Sequence, residues 1–337
     1  MTSLLETWER LIVDGDTGAE FVRLRLPELK SCVVYAARSL EADLEAVILE
    51  VDTESIPANA EYPDARGLTV RVVALAPGRS GRTRIILSLT NDQYRDVFHT
   101  LAEDVVSKLL EARDETEAVR LFVARLSRWQ TFLRRHGNHG LSQEERRGLI
   151  GELFLLRNHL LTRWDQESAI SSWKGCRGAN HDFQFLLGSI EVKTTSSNTP
   201  HSFHVANIRQ LDSPGQGQLF VFFVLVEENE AGNVSLPEVI DSLRIKLEGV
   251  ALEAFEDNLV EAGYLENQKQ NYSSPRYSIR RERFFRVDED FPRLLEESLP
   301  SGVEEVRYQV AIAACTPFEV FPPDVVCSIL GWPGESE

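Results

Sequence analysis

Residues 181–194 read His-Asp-Phe-Gln-Phe-Leu-Leu-Gly-Ser-Ile-Glu-Val-Lys-Thr. Asp182 is followed by eight residues and then by Glu191-Val192-Lys193, so an acid precedes an acid-x-lysine set inside an apolar run. Phe183–Leu187 is short, apolar and aromatic, which predicts a strand. Gly188-Ser189 is a turn signal. Ile190–Thr195 is β-branched at Ile190, Val192, Thr194 and Thr195, which predicts the return strand. Side chains alternate along a strand, so Glu191 and Lys193 share one face, with Ile190, Val192 and Thr194 on the other. A turn centred on Gly188-Ser189 would set Gln184 opposite Lys193 and Asp182 one step beyond, on the same face.

Carboxylates gathered on one patch repel unless a hard cation bridges them. Mg²⁺ suits oxygen ligands and keeps several waters. A bound divalent cation makes water more acidic, and a neighbouring lysine can orient that water or take its proton. The same charges favour the negative charge that grows on a phosphate in the transition state. This chemistry suits cleavage of a phosphodiester. The bland alternative is an exposed strand of alternating charge, since Glu-x-Lys alone carries little information.

Upstream, residues 141–161 (LSQEERRGLIGELFLLRNHLL) predict a helix. Ser142 and Glu145 have capping-box spacing. Leu149, Ile150, Leu153, Phe154, Leu156, Leu160 and Leu161 form a broad apolar face. Glu152 lies between Leu149 and Leu156 at helical spacing, which points it at the core margin. Downstream, residues 201–213 read as a third core strand, 203–206, entering a helix that carries Gln210. Trp173-Lys174-Gly175 and Arg177 precede the hairpin and could touch substrate, although a packed tryptophan is the more ordinary role.

These motifs resemble the PD-(D/E)XK nuclease superfamily, to which many restriction and repair nucleases belong. The matching features are GELFLL, the Trp-x-Gly, HDF-x-F, EVKT, the later RQL and the segment 284–315, so the likeness covers most of the chain. It is nearest to an uncharacterised bacterial PD-(D/E)XK motif family from restriction or anti-phage defence gene clusters. The resemblance implies that Glu152, Asp182 and Glu191 hold Mg²⁺, or Mn²⁺ in its place. It further implies that Lys193 positions the attacking water and that Gln210 supports the site. One departure is that His181, not proline, precedes Asp182.

Two clusters of basic residues stand out in a chain of net charge −17. Lys269, Arg276, Arg280, Arg281, Arg283 and Arg286 are interleaved with Tyr272, Tyr277 and Phe284. Arg120, Arg125, Arg128, Arg134, Arg135, Arg146 and Arg147 form the second cluster. Either could track a phosphate backbone, and either could be a solvated face. From the first, Lys269, Arg276, Arg280, Arg281 and Arg283 are the nucleic-acid contacts expected. The acidic balance argues against a stand-alone, tight DNA binder, because phosphate contacts dominate such affinity.

At 337 residues the chain can hold more than one domain. Residues 1–90 predict a β-rich N-terminal domain with candidate strands FVRLRL, CVVYAAR, LEAVILEVD, LTVRVVAL and TRIILSL, after a short helix at 2–12. Glu41, Asp43, Glu45, Glu50, Asp52 and Glu54 suggest an acidic surface there, suited to a protein partner. Residues 91–140 predict a helical connector ending in HGNHG. Residues 141–330 would form the nuclease-like domain, with its core at 141–228 closed by the doubly buried strand LFVFFVLVE and helices near 235–247 and 250–262. A β-rich segment with one short helix is expected over 276–318, then a loose tail at GWPGESE. The fold class expected is mixed: α+β or α/β, with a restriction-endonuclease-like mixed sheet and flanking helices.

Four scattered cysteines, Cys32, Cys176, Cys315 and Cys327, argue against a zinc site or a disulfide framework, and Cys176 has no nucleophile signature. His201 and His204 would face opposite sides of a strand and read as ordinary histidines. No apolar run is long enough to span a membrane, and the acidic start lacks a signal peptide's pattern, so a cytoplasmic protein is expected. The reading that follows is a Mg²⁺-dependent DNA endonuclease of a restriction or defence system, with DNA and protein partners and a homodimer for double-strand cuts. The alternative is a non-catalytic assembly or DNA-binding subunit. A nuclease acting on RNA would use the same chemistry.

Overall fold

The computed structural model describes residues 4–11, 19–57, 62, 66–75, 81–137, 140–196, 202–212 and 217–330. The chain divides into two compact units. One comprises Met1–Gly140 with Leu265–Asn267, and the other Leu141–Tyr264 with Gln268–Glu337.

The first unit is built on a five-stranded antiparallel sheet of order β1-β2-β3-β5-β4. Its strands are β1 (Phe21–Arg25), β2 (Val33–Ser39), β3 (Glu45–Asp52), β4 (Leu68–Ala74) and β5 (Arg82–Leu89). All five strands lie at the candidate stretches named from the sequence. Three helices join the sheet: α1 (Leu4–Glu9), α2 (Arg95–Leu109) and α3 (Glu115–His136). The apolar stripes of α2 (Phe98, Leu101, Val105) and α3 (Phe122, Leu126, Trp129) are buried. Asp114 caps α3 by accepting the Glu117 N–H. The acidic run is less of a surface than its sequence suggests. Glu45 and Glu50 are buried, the first paired with Arg38 and Arg95 and the second with Arg84.

The second unit holds a mixed five-stranded sheet of order β12-β10-β9-β7-β6. Its strands are β6 (Phe183–Gln184), β7 (Gly188–Thr195), β9 (Gln218–Asn229), β10 (Arg276–Val287) and β12 (Glu319–Val320). β7 and β9 are parallel, and the other pairs are antiparallel. β9 is buried on both faces, which explains its unbroken apolar run. Phe220, Phe222 and Val224 join one core with Ile190, Val192 and the residues Leu149, Ile150 and Leu153. Leu219, Val221 and Phe223 join the other core with Phe203, Val205 and Phe285.

Helix α4 (Gln143–Leu155) begins at the expected capping box of Ser142 and Glu145 and runs on into a π turn at Leu156–Leu160. α4 lies close against β7. A Cβ on Gly151 would sit 1.9 Å from Thr194 Oγ1, so only glycine lets the helix approach this near. α5 (Gln166–Ser172), α6 (Leu236–Arg244), α7 (Gly249–Ala262), α8 (Ile312–Cys315) and α9 (Pro322–Leu330) complete the helices used below.

Three expectations are corrected. The hairpin reverses at Phe185–Leu187, not at Gly188-Ser189, because the Phe185 N–H closes a tight turn on the Gly188 carbonyl. Gln184 therefore pairs with Ser189 instead of Lys193. Residues 203–206 supply no core strand. Among the described residues β8 (Ser202–Val205) pairs with β11 (Tyr308–Ala311) and no other strand, in a separate two-stranded sheet. α9 lies in a stretch whose apolar content had no assignment, and its Val325 and Ile329 enter the core. The GWPGESE tail is outside the described residues.

Candidate active site

Asp182 leads into β6. Continuing the pairing Phe183↔Ile190 by one step sets Asp182 across from Glu191. Cross-strand partners share a face, so the two carboxylates meet there. The Asp182 backbone is fixed first: its carbonyl accepts the N–H groups of Lys174 and Gly175 at 2.7 and 2.9 Å. Its Oδ2 accepts the Val192 N–H at 2.8 Å.

On β7, Lys193 Nζ lies 2.8 Å from Glu191 Oε1 and donates to Gln210 Oε1 at 2.8 Å. Gln210 sits in the 3-10 turn Ile208–Leu211, which Asn207 caps through the Arg209 N–H. The Ala206 N–H also donates to Gln210 Oε1, at 3.0 Å, and fixes which end of the amide faces the lysine. Glu152, on α4, accepts the Trp173 indole N–H on Oε2 at 2.6 Å. Glu152, Asp182, Glu191, Lys193 and Gln210, distant in sequence, thus form one neighbourhood.

The electrostatics follow from burial. Glu191 is 1% exposed and Lys193 is 7% exposed. Burial, reinforced by the charge of Asp182, pushes the Glu191 carboxyl up to about 8. Burial and then the charge of Asp182 raise Glu152 well above the carboxylate range. Asp182 is also raised by burial, against the opposing pull of the Val192 N–H and Lys193. Three acids therefore gather about one lysine among the described residues, and burial pushes their carboxyls towards the protonated form.

Among the described residues no group of three or more His, Cys, Asp or Glu side chains stands in metal-holding geometry. The reason is visible in the contacts: Trp173, the Val192 backbone and Lys193 each draw one acid towards a different neighbour. The residues nonetheless fit a hard divalent cation. Every donor is an oxygen, the acids outnumber the lysine, and Glu191 Oε2 is buried without a hydrogen-bond partner. A cleft of about 420 Å³ opens beside Lys193, between Glu144 and Arg147 of α4 and Phe203 and His204 of β8.

Two neighbours of the site had only weak sequence signals. Trp173 is packed as expected but also bonds Glu152, which periodicity does not reveal. His181, standing where the resemblance expects proline, is buried and donates from Nε2 to the Asp212 carbonyl at 3.1 Å. It ties the start of β6 to the end of the turn carrying Gln210. The buried Cys176 thiol is pushed up by desolvation, which suits an inert packed residue. His204 is exposed, and His201 lies outside the described residues.

The expected nucleic-acid contacts lie elsewhere on the unit, on and near β10. Lys269 pairs with Asp241, Arg276 with Glu238, Arg280 with Glu227 and Arg283 with Glu319. Arg281 is exposed, and its charge is felt by Glu319. Arg146 and Arg147 of the second cluster are also engaged, by the Asn271 and Ser274 carbonyls and by Glu228.

A mixed sheet flanked by helices, carrying an acid and an acid-x-lysine set on one hairpin, defines a restriction-endonuclease-like class of protein. The family model described as "Putative PD-(D/E)XK family member (DUF4420)" matches residues 4–313, and the chain belongs to that family, within the PD-(D/E)XK nuclease superfamily. No curated protein and no solved structure gives a significant match.

Proposed function

We propose that this protein is a Mg²⁺-dependent DNA endonuclease of a bacterial restriction or anti-phage defence system, with Mn²⁺ able to substitute. The observation that carries the reading is the gathering of three carboxyls, two of them partly buried and one fully buried, around one lysine among the described residues. Glu152, Asp182 and Glu191 would hold the cation. When bound, it would offset their charge and favour negative charge on the scissile phosphate. Lys193 Nζ, held by Glu191 Oε1 and Gln210 Oε1, would orient the water whose oxygen attacks phosphorus as the bond to the leaving sugar oxygen breaks. The ammonium also favours charge on the non-bridging phosphate oxygens.

Arg281, with Lys269, Arg276, Arg280 and Arg283 exchanging their carboxylate partners for phosphate, would track the DNA backbone. Each exchange gives up an ion pair, so the acidic chain would draw on protein partners of its defence cluster, or a second copy, to engage DNA firmly. No described helix is long and apolar enough to cross a membrane, and a cytoplasmic location accords with a DNA substrate.

The test is incubation of the purified protein with plasmid, linear and single-stranded DNA and with RNA, in Mg²⁺ or Mn²⁺, beside Lys193→Ala and Asp182→Ala. Metal-dependent cutting that disappears in both variants supports the enzyme. Equal residual cutting by all three proteins would come from a contaminant and would overturn it.

A second reading, a non-catalytic assembly or DNA-binding subunit, is favoured by one observation. The acids are closed onto neighbours, and no three-acid group among the described residues has metal-holding geometry. It predicts DNA or partner binding unchanged by Mg²⁺ and by Lys193→Ala.

A further inference from the structure

The segment Trp173-Lys174-Gly175 touches two acids that come from different elements. Trp173 reaches Glu152 of α4 through its indole N–H. The next two backbone N–H groups hold the carbonyl of Asp182 at the start of β6. Trp173 also bridges Phe183 in antiparallel fashion, which locks the segment to the hairpin. One three-residue stretch therefore sets a helical acid and a strand acid in register.

Packing alone does not require tryptophan here. The ring is buried and lies tilted against Phe255, with centroids 6.0 Å apart, and phenylalanine would fill much of that space. What phenylalanine lacks is the N–H. A buried indole N–H needs an acceptor. Here it is given a carboxylate oxygen at 2.6 Å, where a backbone carbonyl would satisfy it equally well. The bond commits Oε2 of a Glu152 carboxyl that also feels the charges of Asp182 and Glu191.

Gly175 contributes through what it lacks. A Cβ there would stand 2.4 Å from Asp182 Oδ1 and 3.0 Å from Asp182 Cα. The second contact is with backbone, which cannot swing aside as a flexible side chain does. Any larger residue would push the Asp182 carboxylate out of its place across from Glu191.

We infer that Trp173 and Gly175 are positioning residues for the acidic cluster: the indole N–H aligns Glu152 while the glycine admits Asp182, so that both acids address one cation. This rests on the proposed metal-dependent site and adds the device that assembles it. Outer partners of metal ligands commonly govern affinity by about 10- to 100-fold.

The test uses the full-length chain with ¹⁵N-labelled tryptophan. Trp173→Phe identifies the Trp173 indole resonance by its loss. In metal-free protein the indole proton should lie downfield, as its short bond to Glu152 requires, and should move upfield in Glu152→Gln. Addition of Mg²⁺ alone should shift it again. By calorimetry, Trp173→Phe and Gly175→Ala should each bind Mg²⁺ about 10- to 100-fold more weakly than the wild type, with the secondary structure retained.

Should Trp173→Phe fail to fold, the resonance in Glu152→Gln and the affinity of Gly175→Ala still decide. An indole resonance indifferent to Glu152→Gln, or wild-type Mg²⁺ affinity in either positioning variant, would overturn the inference while leaving the metal site standing. A wild-type protein that binds no Mg²⁺ would instead remove the metal-dependent reading, and the positioning role with it.

Discussion

Strands β7 and β10 belong to one sheet, and they handle charge in opposite ways. Along β10, Arg276, Arg280 and Arg283 each meet a glutamate, and those pairs keep part of their surface in water. Such pairs contribute little to stability and need no further explanation. Around β7, Glu152, Asp182 and Glu191 converge on Lys193 as the one cation there among the described residues, and Glu191 keeps one oxygen buried without a partner. Burying surplus acids is costly, because each must be held protonated or carry an uncompensated charge. A chain that maintains the surplus in one place and neutralises charge elsewhere makes that place the candidate functional site. The difference also explains why a count of arginines misleads: most of the basic residues on and near β10 already have a carboxylate partner.

The comparison breaks most readily at Lys193. Lys193→Ala or Asp182→Ala should lower DNA cleavage by at least about 100-fold, measured as initial rates on plasmid. Variants cutting within a few-fold of wild type would make β7 as structural as β10. Gly175→Ala comes next. By displacing Asp182 it should cost about 10- to 100-fold in rate without removing any charged group.

The acidic surplus should also be legible in stability. Glu191 stands at about 8 when folded against 4.5 for an ordinary glutamate. Below 4.5 both folded and unfolded chains carry the proton. Between 4.5 and 8 the unfolded chain gives it up and the folded chain keeps it, so metal-free stability falls as pH rises through that window. The slope is bounded at about 1.4 kcal/mol per pH unit for one proton. Denaturant unfolding in EDTA at several pH values should show Glu191→Gln gaining on the wild type up to pH 8. Parallel profiles would show that the carboxyl is not held protonated. The smallest effects should fall on β10. Arg281→Ala should reduce the salt dependence of DNA binding by about one phosphate contact, and Arg280→Ala, already paired with Glu227, by less. Equal losses would mean that the ion pair opens freely on DNA.

Much of this was legible in the sequence because local physics decided it. Apolar runs between turn-rich stretches marked the five strands of the first unit, and the apolar run of β9 announced a strand buried on both faces. Glu152 was legible from its place on a helical stripe and Gln210 from the resemblance. The structure brings both to the Asp182–Lys193 hairpin, which joins positions and leaves their roles to experiment. What escaped was set by contacts distant in sequence. The hairpin turn moved because the Phe185–Gly188 closure outweighed a generic Gly-Ser signal. β8 left the core sheet because its partner, β11, lies a hundred residues downstream. The ion pairs of β10 depend on Glu227, Glu238 and Glu319, whose approach no local pattern encodes. Trp173 reads as a packed aromatic in any window, because its hydrogen bond is to a helix 21 residues away.

The most direct test of the acidic surplus as a cation site is calorimetric titration of the metal-free protein with Mg²⁺ near pH 7.5, in two buffers of different ionisation enthalpy. Carboxyls held protonated by burial must release those protons when a cation replaces them. Saturable binding with net proton release is expected, and it should be lost in the Asp182→Asn/Glu191→Gln double variant. Absence of binding, or binding that survives in that double variant with no proton released, would contradict it.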